Sequence, residues 1–471
     1  NNIDAVLHSK TSSSLLTLLQ LIGPSSLVYV HNYGSISLQK NVVTGEIYAA
    51  SNNGASVFVH GNIVCSVQNT SAIVVAGNKI NVTQRNDAEA YGMWLTSLDV
   101  NSNSTLLLQS NDISMLFEGA SSPAFRFMRM LSFSISNASL EISHQQVVLR
   151  VVSSVAVKTE YTAFYWILNW GFKVSSSGLL HIHHNALESR GNETELFVTV
   201  LAVSPFNSVV SMNESSIVAI TNNIIEAGRG ESWLLYISPS TETLTTNTSI
   251  TGQSAIYLQH NYYPRVVGAS PVIRLCGLFS LTYVGGNSTI YITNNTALND
   301  KGTVRLFETS TSLPVVLDGT LVVIEGNEVE LSGIPDGMVG NALVNLNGNV
   351  TEHFRMMFIG NLITAYMSTE GTLPFGLICA VSVDLSKHYP SLTEPPLTVQ
   401  GNTVTGIGNN QTRGGFGFLM VLLHATDPDS NRVTPFEVSR VDTARIVNNS
   451  VITTNFDRTD ILQVNFTSHV A

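Results

Sequence analysis

"SIVAITNNII", residues 216–225, sets Val218 and Ile220 in the alternation of a half-buried strand, then interrupts it with Asn222 and Asn223 before Ile225. Asn is depleted in strands and common in turns. The pair is therefore a turn, a ligand site, a sugar acceptor or an architectural device. Recurrence decides between these. Aligned on Asn223, the pattern is apolar, any, apolar, any, any, Asn, any, apolar. Leu180, Ile182, Asn185 and Leu187 fill it, as do Val322, Ile324, Asn327 and Val329. Leu397, Val399, Asn402 and Val404 fit, as do Ile73, Val75, Asn78 and Ile80, and Ile290, Ile292 and Asn295. The column also takes in Asn41, Asn62, Asn111, Asn261, Asn361 and Asn449, and Gln145 replaces Asn once. With Asn62 set aside, because it falls between two others, the members stand roughly 32 to 47 residues apart, a solenoid period.

Between these corners lie further strand-like runs: "ELFVTVLAV" (195–203), "SWLLYIS" (232–238), "GLICAVSV" (376–383) and "GFGFLMVLL" (415–423), with shorter ones such as "NSVVSM" (207–212). Val, Ile, Thr and aromatics abound and helical periodicity is poor. Propeller blades have a similar period, but they are antiparallel and need systematic two-residue hairpins, which are missing here. The expected fold is therefore all-β: a right-handed parallel β-helix with three short strands per coil and an Asn corner ladder. Residues 1–471 are expected to form one continuous stack of roughly eleven coils, on the order of 50 to 60 Å long. In such a coil the inward pair ends three residues before the Asn, and the next apolar residue lies two after it. That odd step bends the chain, and Asn tolerates the left-handed conformation a bend needs. Stacked at about 4.8 Å, the amides can bond along the column as in cross-β ladders. The preceding residue is Gly61, Gly77, Gly326, Gly360 or Gly401, Asn222, Asn294 or Asn448, or His144, His184 or His260. All three types are enriched at positive φ.

Composition narrows the function classes. Only 12% of the 471 residues are charged, where about a quarter is usual, and 44% are hydrophobic. Yet runs such as Phe416 to Leu423 fall far short of the ~20 residues of a spanning helix. The apolar residues are spread over many short strands. A net charge of −11 without a dense Lys/Arg cluster excludes nucleic acid as a partner.

The strand–N-N–strand and strand–G-N–strand phrases resemble the pectin-lyase-like β-helix superfamily. Joined to many N-x-S/T acceptors and no enzyme motif, they are similar to the dispersed gene family surface glycoproteins of trypanosomatids. The resemblance covers nearly the whole chain. It implies a very long β-helical polypeptide with membrane segments near its C-terminus. The chain begins at Asn1 without Met and ends in the strand-like "VNFTSHVA". It reads as a segment of a longer polypeptide, uncapped at both ends and stacking there on further coils or subunits.

Glycan acceptors stand at Asn69, Asn81, Asn103, Asn137, Asn192, Asn213, Asn247, Asn287, Asn294, Asn349, Asn410, Asn448 and Asn465. Asn103, Asn137, Asn213, Asn287 and Asn349 precede a corner strand at a similar place in the coil, where a loop approaches solvent. Asn294 and Asn448 sit in the corner turn, where packing shields them. N-linked glycans there would solubilise a charge-poor surface, which points to an extracellular or cell-surface protein. Cys65, Cys276 and Cys379 are expected as free, buried thiols. Cys276 and Cys379 lie in corresponding strands three coils apart, beyond the ~7 Å reach of a disulfide.

Catalytic signals are weak. Glycoside hydrolysis needs paired carboxylates, and lyase chemistry needs a calcium-binding acid cluster with a basic proton acceptor. No column of acids occupies corresponding coil positions. Asp427 and Asp429 share one loop, which reads as a solvated turn. "LHIHHN" (180–185) puts His181 and His183 on one strand face and His184 above His144, without a nearby acid. Histidine is a natural corner residue, so neither metal nor cofactor is expected. The aromatic run "YTAFYWILNWGF" (161–172) fills a slot that is core in other coils, and Arg126 and Arg129 are expected outward or on loop carboxylates. The expected function is a non-catalytic structural or adhesive shaft displaying loops and glycans, its host or matrix ligand unspecified. The alternatives are a carbohydrate-active β-helix enzyme, marked by acids converging from neighbouring coils, and a glycan-binding module, marked by a bare aromatic-lined face.

Overall fold

The computed structural model describes residues 2–467 except 9–18, 21–25, 49–54, 61–62, 86–88, 120–123, 153–157, 192–194, 206–208, 227–229, 238–247, 266–271, 280, 300, 310–314, 334–341, 351–352, 368–375, 382–396, 409–414, 425–443 and 456–457. All described elements are strands, and among the described residues no helix is long and apolar enough to cross a membrane.

One coil shows why the sequence folds this way. Strand Val210–Met212 turns at Asn213–Ser216 into strand Ile217–Thr221. The chain bends at Asn222–Asn223 and leaves as strand Ile224–Glu226, then runs through Glu231–Ile237 and Ser249–Ile250 to the next coil. Repetition builds a solenoid of parallel sheets. The sheet leading into the Asn corner has 12 strands, from Ser35–Gln39 to Ala444–Val447, one per coil, beside the roughly eleven coils expected. The sheet leaving the corner has 13, from Asn2–His8 to Ser450–Thr454. The remaining strands form the third face. Three strands per coil is thus the right outline, but this face is double: Glu89–Asn101, Ala124–Ser136 and Lys158–Ser175 run through its bend, and most other coils split there into two strands.

Register in the entry sheet is one to one. Val218 pairs with Leu180 and Ile256, and Ile220 with Ile182 and Leu258. Inward residues therefore stack on inward residues. Leu106, Leu140, Leu180, Val218, Ile256 and Ile290 are each 2% exposed or less. Burying each such side chain is worth about 1.5–3 kcal/mol, which opposes the large entropy cost of ordering the coil.

The left-handed corner residue is the one before the Asn, not the Asn itself. His144, His184, Asn222, His260, Asn294 and Asn448 have φ between 53° and 55°, and Gly77, Gly326, Gly360 and Gly401 between 60° and 64°. Lys40 and Ser110, at 53° each, fill the remaining described corners. The ladder Asn stays out of the left-handed region because its side chain must point inward along the stack. At Gly326 a Cβ would lie 2.4 Å from Asn294 Oδ1, so glycine there also answers to its neighbour below. Gly61 and Asn62 lie outside the described residues, and the ladder passes directly from Asn41 to Asn78.

Cys65 and Cys276 are free and buried. Burial pushes the Cys65 thiol up to about 12 and raises that of Cys276 as well. Cys379 lies in strand Gly376–Val381, three strand steps from that of Cys276, with its side chain outside the described residues.

Candidate functional site

The entry sheet has a corner at each end, and both carry columns of polar side chains. At its exit, the Oδ1 of Asn223 accepts from both the backbone N–H and the Nδ2 of Asn185, at 3.1 and 2.9 Å. Its own Nδ2 donates to Ile182 O at 3.0 Å and to Asn261 Oδ1 at 2.9 Å. The amide bonds run from Asn41 through Asn78 and Asn111 to Gln145, and from Asn185 through Asn223, Asn261, Asn295, Asn327, Asn361 and Asn402 to Asn449. Every ladder member but Asn449 is buried. The single break is Gln145. Its extra methylene lets Nε2 curl back to Ser143 O, 2.9 Å, so only its backbone N–H reaches Asn185 Oδ1. A void of about 10 Å³, roughly the room for one water, opens against Gln145, Asn185 and Phe127.

At its entrance the sheet is fed by a tight turn with positive φ, as at Asn69 and Thr70, Ser102 and Asn103, Ser176 and Ser177, and Glu214 and Ser215. Just before the strand stands a buried hydroxyl column that sequence reasoning missed: Ser71, Ser104, Ser216, Ser254, Ser288 and Thr320. Ser216 and Ser254 meet at 3.0 Å, Ser288 Oγ donates to Gly285 O at 2.6 Å, and Thr320 Oγ1 to Val284 O at 2.7 Å. Ala138 and Gly178 interrupt the column, and Ser is common in every loop, so spacing alone hid it.

Five of the acceptor asparagines map onto this turn. Asn103, Asn137 and Asn287 each stand two residues before a strand, exposed, with φ of 61°, 48° and 60°. Asn69 is exposed three before, and Asn213 is half-buried four before. Asn349 departs from the expectation: it lies in strand Ala342–Val350, paired with Val316, because the third face extends further there. Asn81 is exposed in strand Lys79–Arg85. Asn294 and Asn448 are exposed rather than shielded, since a left-handed residue throws its side chain off the corner. Asn192, Asn247 and Asn410 lie outside the described residues, as do Asp427, Asp429 and the side chain of Asn465 in strand Arg458–Thr467.

Two charged clusters correct the sequence reading. The histidines do have an acid: His183 Nε2 lies 3.1 Å from Glu141 Oε1, one coil away and 42 residues distant. Nδ1 of His183 stands 2.8 Å from Nδ1 of His184, and His184 stacks on His144, ring centres 5.1 Å apart. Burial, then the neighbouring His183, lowers His181 from 6.5 to about 4. His183 is lowered by burial against the pull of Glu141. Among the described residues, no three His, Cys, Asp or Glu side chains already converge as a metal site.

On the third face, one arginine bridges acids from the coils on either side of it. Arg274 Nη1 donates to Glu308 Oε2 at 2.8 Å, and Arg274 Nε lies 2.7 Å from Glu231 Oε1, an ion pair by distance rather than an aligned bond. Arg305 holds the other oxygen of Glu308, and Arg274 covers the Trp233 ring at 4.8 Å. Both oxygens of Glu308 are thus engaged by guanidinium groups, which favours a neutralised pair network over a general acid. Arg129 likewise lies over the rings of Trp94 and Tyr91. The aromatic run falls in strand Lys158–Ser175, with the side chains of 161–170 outside the described residues. No protein-family model matches the chain, and no curated protein does.

Proposed function

We propose that the chain is a non-catalytic shaft of an extracellular or cell-surface glycoprotein, built as a pectin-lyase-like β-helix and akin to the trypanosomatid surface glycoproteins it resembles. The observation that carries this reading is the entrance turn. Asn69, Asn103 and Asn137 stand on three successive coils, and Asn287 further along, all exposed at one edge of the stack, while the ladder amides are bonded inside the corner. Such a turn presents sugars, and a ligand contact borne on loops, without disturbing the core. The chain secreted from a eukaryotic cell should carry glycosidase-sensitive mass at Asn103, Asn137 and Asn287. Acidic polysaccharides, with or without calcium, should yield neither reducing ends nor unsaturated products. An unmodified secreted chain, or turnover lost on Glu308→Gln, would sink this reading.

A glycan-binding module is the second reading, favoured by Tyr257 and Tyr291. Their rings stack 5.1 Å apart and 3° from parallel on the outer face of the entry sheet, both half-exposed. Saturable oligosaccharide binding lost on Tyr257→Ala would turn the argument toward it.

A further inference from the structure

The coil itself explains some of the histidines. Position 184 needs a left-handed residue, and His, Asn and Gly serve equally there. It does not explain Glu141 and His183. The entry-sheet register puts Glu141 in a column with His181, Ala219 and Tyr257, and His183 in a column with Ser143, Thr221 and Gln259. Neither column asks for an acid or an imidazole, yet here the two meet.

Their contact settles the tautomer. A carboxylate only accepts, so the 3.1 Å contact with Glu141 Oε1 places a proton on His183 Nε2. Glu141 is held in turn by Ser143 Oγ, which donates to it at 2.9 Å. The lone pair of His183 is therefore on Nδ1, and it faces Nδ1 of His184 at 2.8 Å. The proton between those atoms belongs to His184. Two nitrogens bound to one cation at ~2.0–2.1 Å stand roughly 3 Å apart. Exchanging the bridging proton for a metal thus requires both rings to turn until their Nδ1 lone pairs converge off the Nδ1–Nδ1 line, with His184 moving its proton to Nε2. His144 is exposed one coil below, its ring parallel to that of His184 within 3° and edge-on to His183 at 6.0 Å. His181 is occupied, with Nε2 3.0 Å from Thr221 Oγ1, and its ring backs that of His183 at 3.9 Å.

We propose that His183 and His184 chelate a divalent transition cation of the zinc, copper and nickel class through their Nδ1 atoms. Glu141 orients His183 from its far nitrogen, the carboxylate–histidine–metal arrangement. His144 rotates in as a third ligand, tying two coils together, and water fills the open positions. Imidazole donors select this class over calcium and magnesium, which want oxygen.

The test is calorimetric titration of the whole chain with zinc chloride, repeated with nickel chloride. One saturable site per chain is expected. His183→Ala and His184→Ala should each weaken it by about 100-fold, and Glu141→Gln by about 10-fold or more. His260→Ala, an exposed histidine at the same corner position two coils away, should leave it unchanged. Melting curves of the metal-free variants, matching that of the parent chain, show that the fold is retained. Bound copper(II) should show nitrogen couplings that fall by one in His184→Ala. Absence of a saturable site below millimolar metal, or equal binding by the doubly substituted His183→Ala, His184→Ala chain, would overturn the proposal.

Discussion

Asn223 and Gln84 carry the same amide, both 0% exposed, and their fates are opposite. Asn223 makes four side-chain bonds along the corner. Gln84, in strand Lys79–Arg85, follows Ile80 and Val82 inward into a slot that neighbouring coils fill with Phe117 and Val151. There neither its Oε1 nor its Nε2 has a hydrogen-bond partner. A buried amide is stabilising only where the stack repeats it, because the partner of each amide is the same amide one coil away. Among hydrocarbons the same group is a cost.

The difference can be broken at its strongest point. Asn223→Ala removes a donor and an acceptor from the middle of the ladder and strands the groups that faced them. It should destabilise by about 3 kcal/mol, read as a lowered urea midpoint. A loss under about 1 kcal/mol would mean that the ladder fills space and little more.

At Gln84 the sign reverses. Gln84→Met keeps the shape and deletes the unmatched polarity, so stability should rise by about 1–2 kcal/mol. A destabilised variant would point to a buried water satisfying the amide.

Gln145 lies between these cases: in the ladder, but a methylene too long to continue it. Gln145→Asn should restore the bond to Asn185, gaining roughly 0.5–1 kcal/mol in the same urea titration.

The smallest effect separates the ladder from the surface. Amides do not titrate, so acid sensitivity should come from the histidine patch. The folded pKa of His181 is lowered from 6.5 to about 4. The unfolded chain therefore takes up that proton first, and stability falls as pH drops from about 6.5 toward 4. His181→Gln should flatten the fall in melting temperature across that window. An unchanged slope would place the sensitivity elsewhere.

How much was legible follows from distance along the chain. The Asn column, the positive-φ residue before it and the inward pair ahead of it sit within eight consecutive residues, so a single coil displays them and the other coils repeat them. The solenoid could be read for that reason. The sequence offered both the Asn and the residue before it for the left-handed turn, because spacing reports that the chain bends and not which residue takes the positive φ; the preceding residue takes it. The hydroxyl column at the entrance was hidden among ordinary loop serines.

The sequence by itself determined the period, the corner strands and the buried corner amides, since each is a local pattern under a known local constraint. Only the tertiary structure decided which side chains from different coils share a face. It brought Glu141 to His183, across 42 residues. It closed Arg274 between Glu231 and Glu308, and it left Gln84 without a partner. Coils differ in loop length, from 32 to 47 residues between ladder members, so spacing along the chain does not predict which outward side chains become neighbours. Register does, and register is set by the stacking of inward residues at about 4.8 Å per coil.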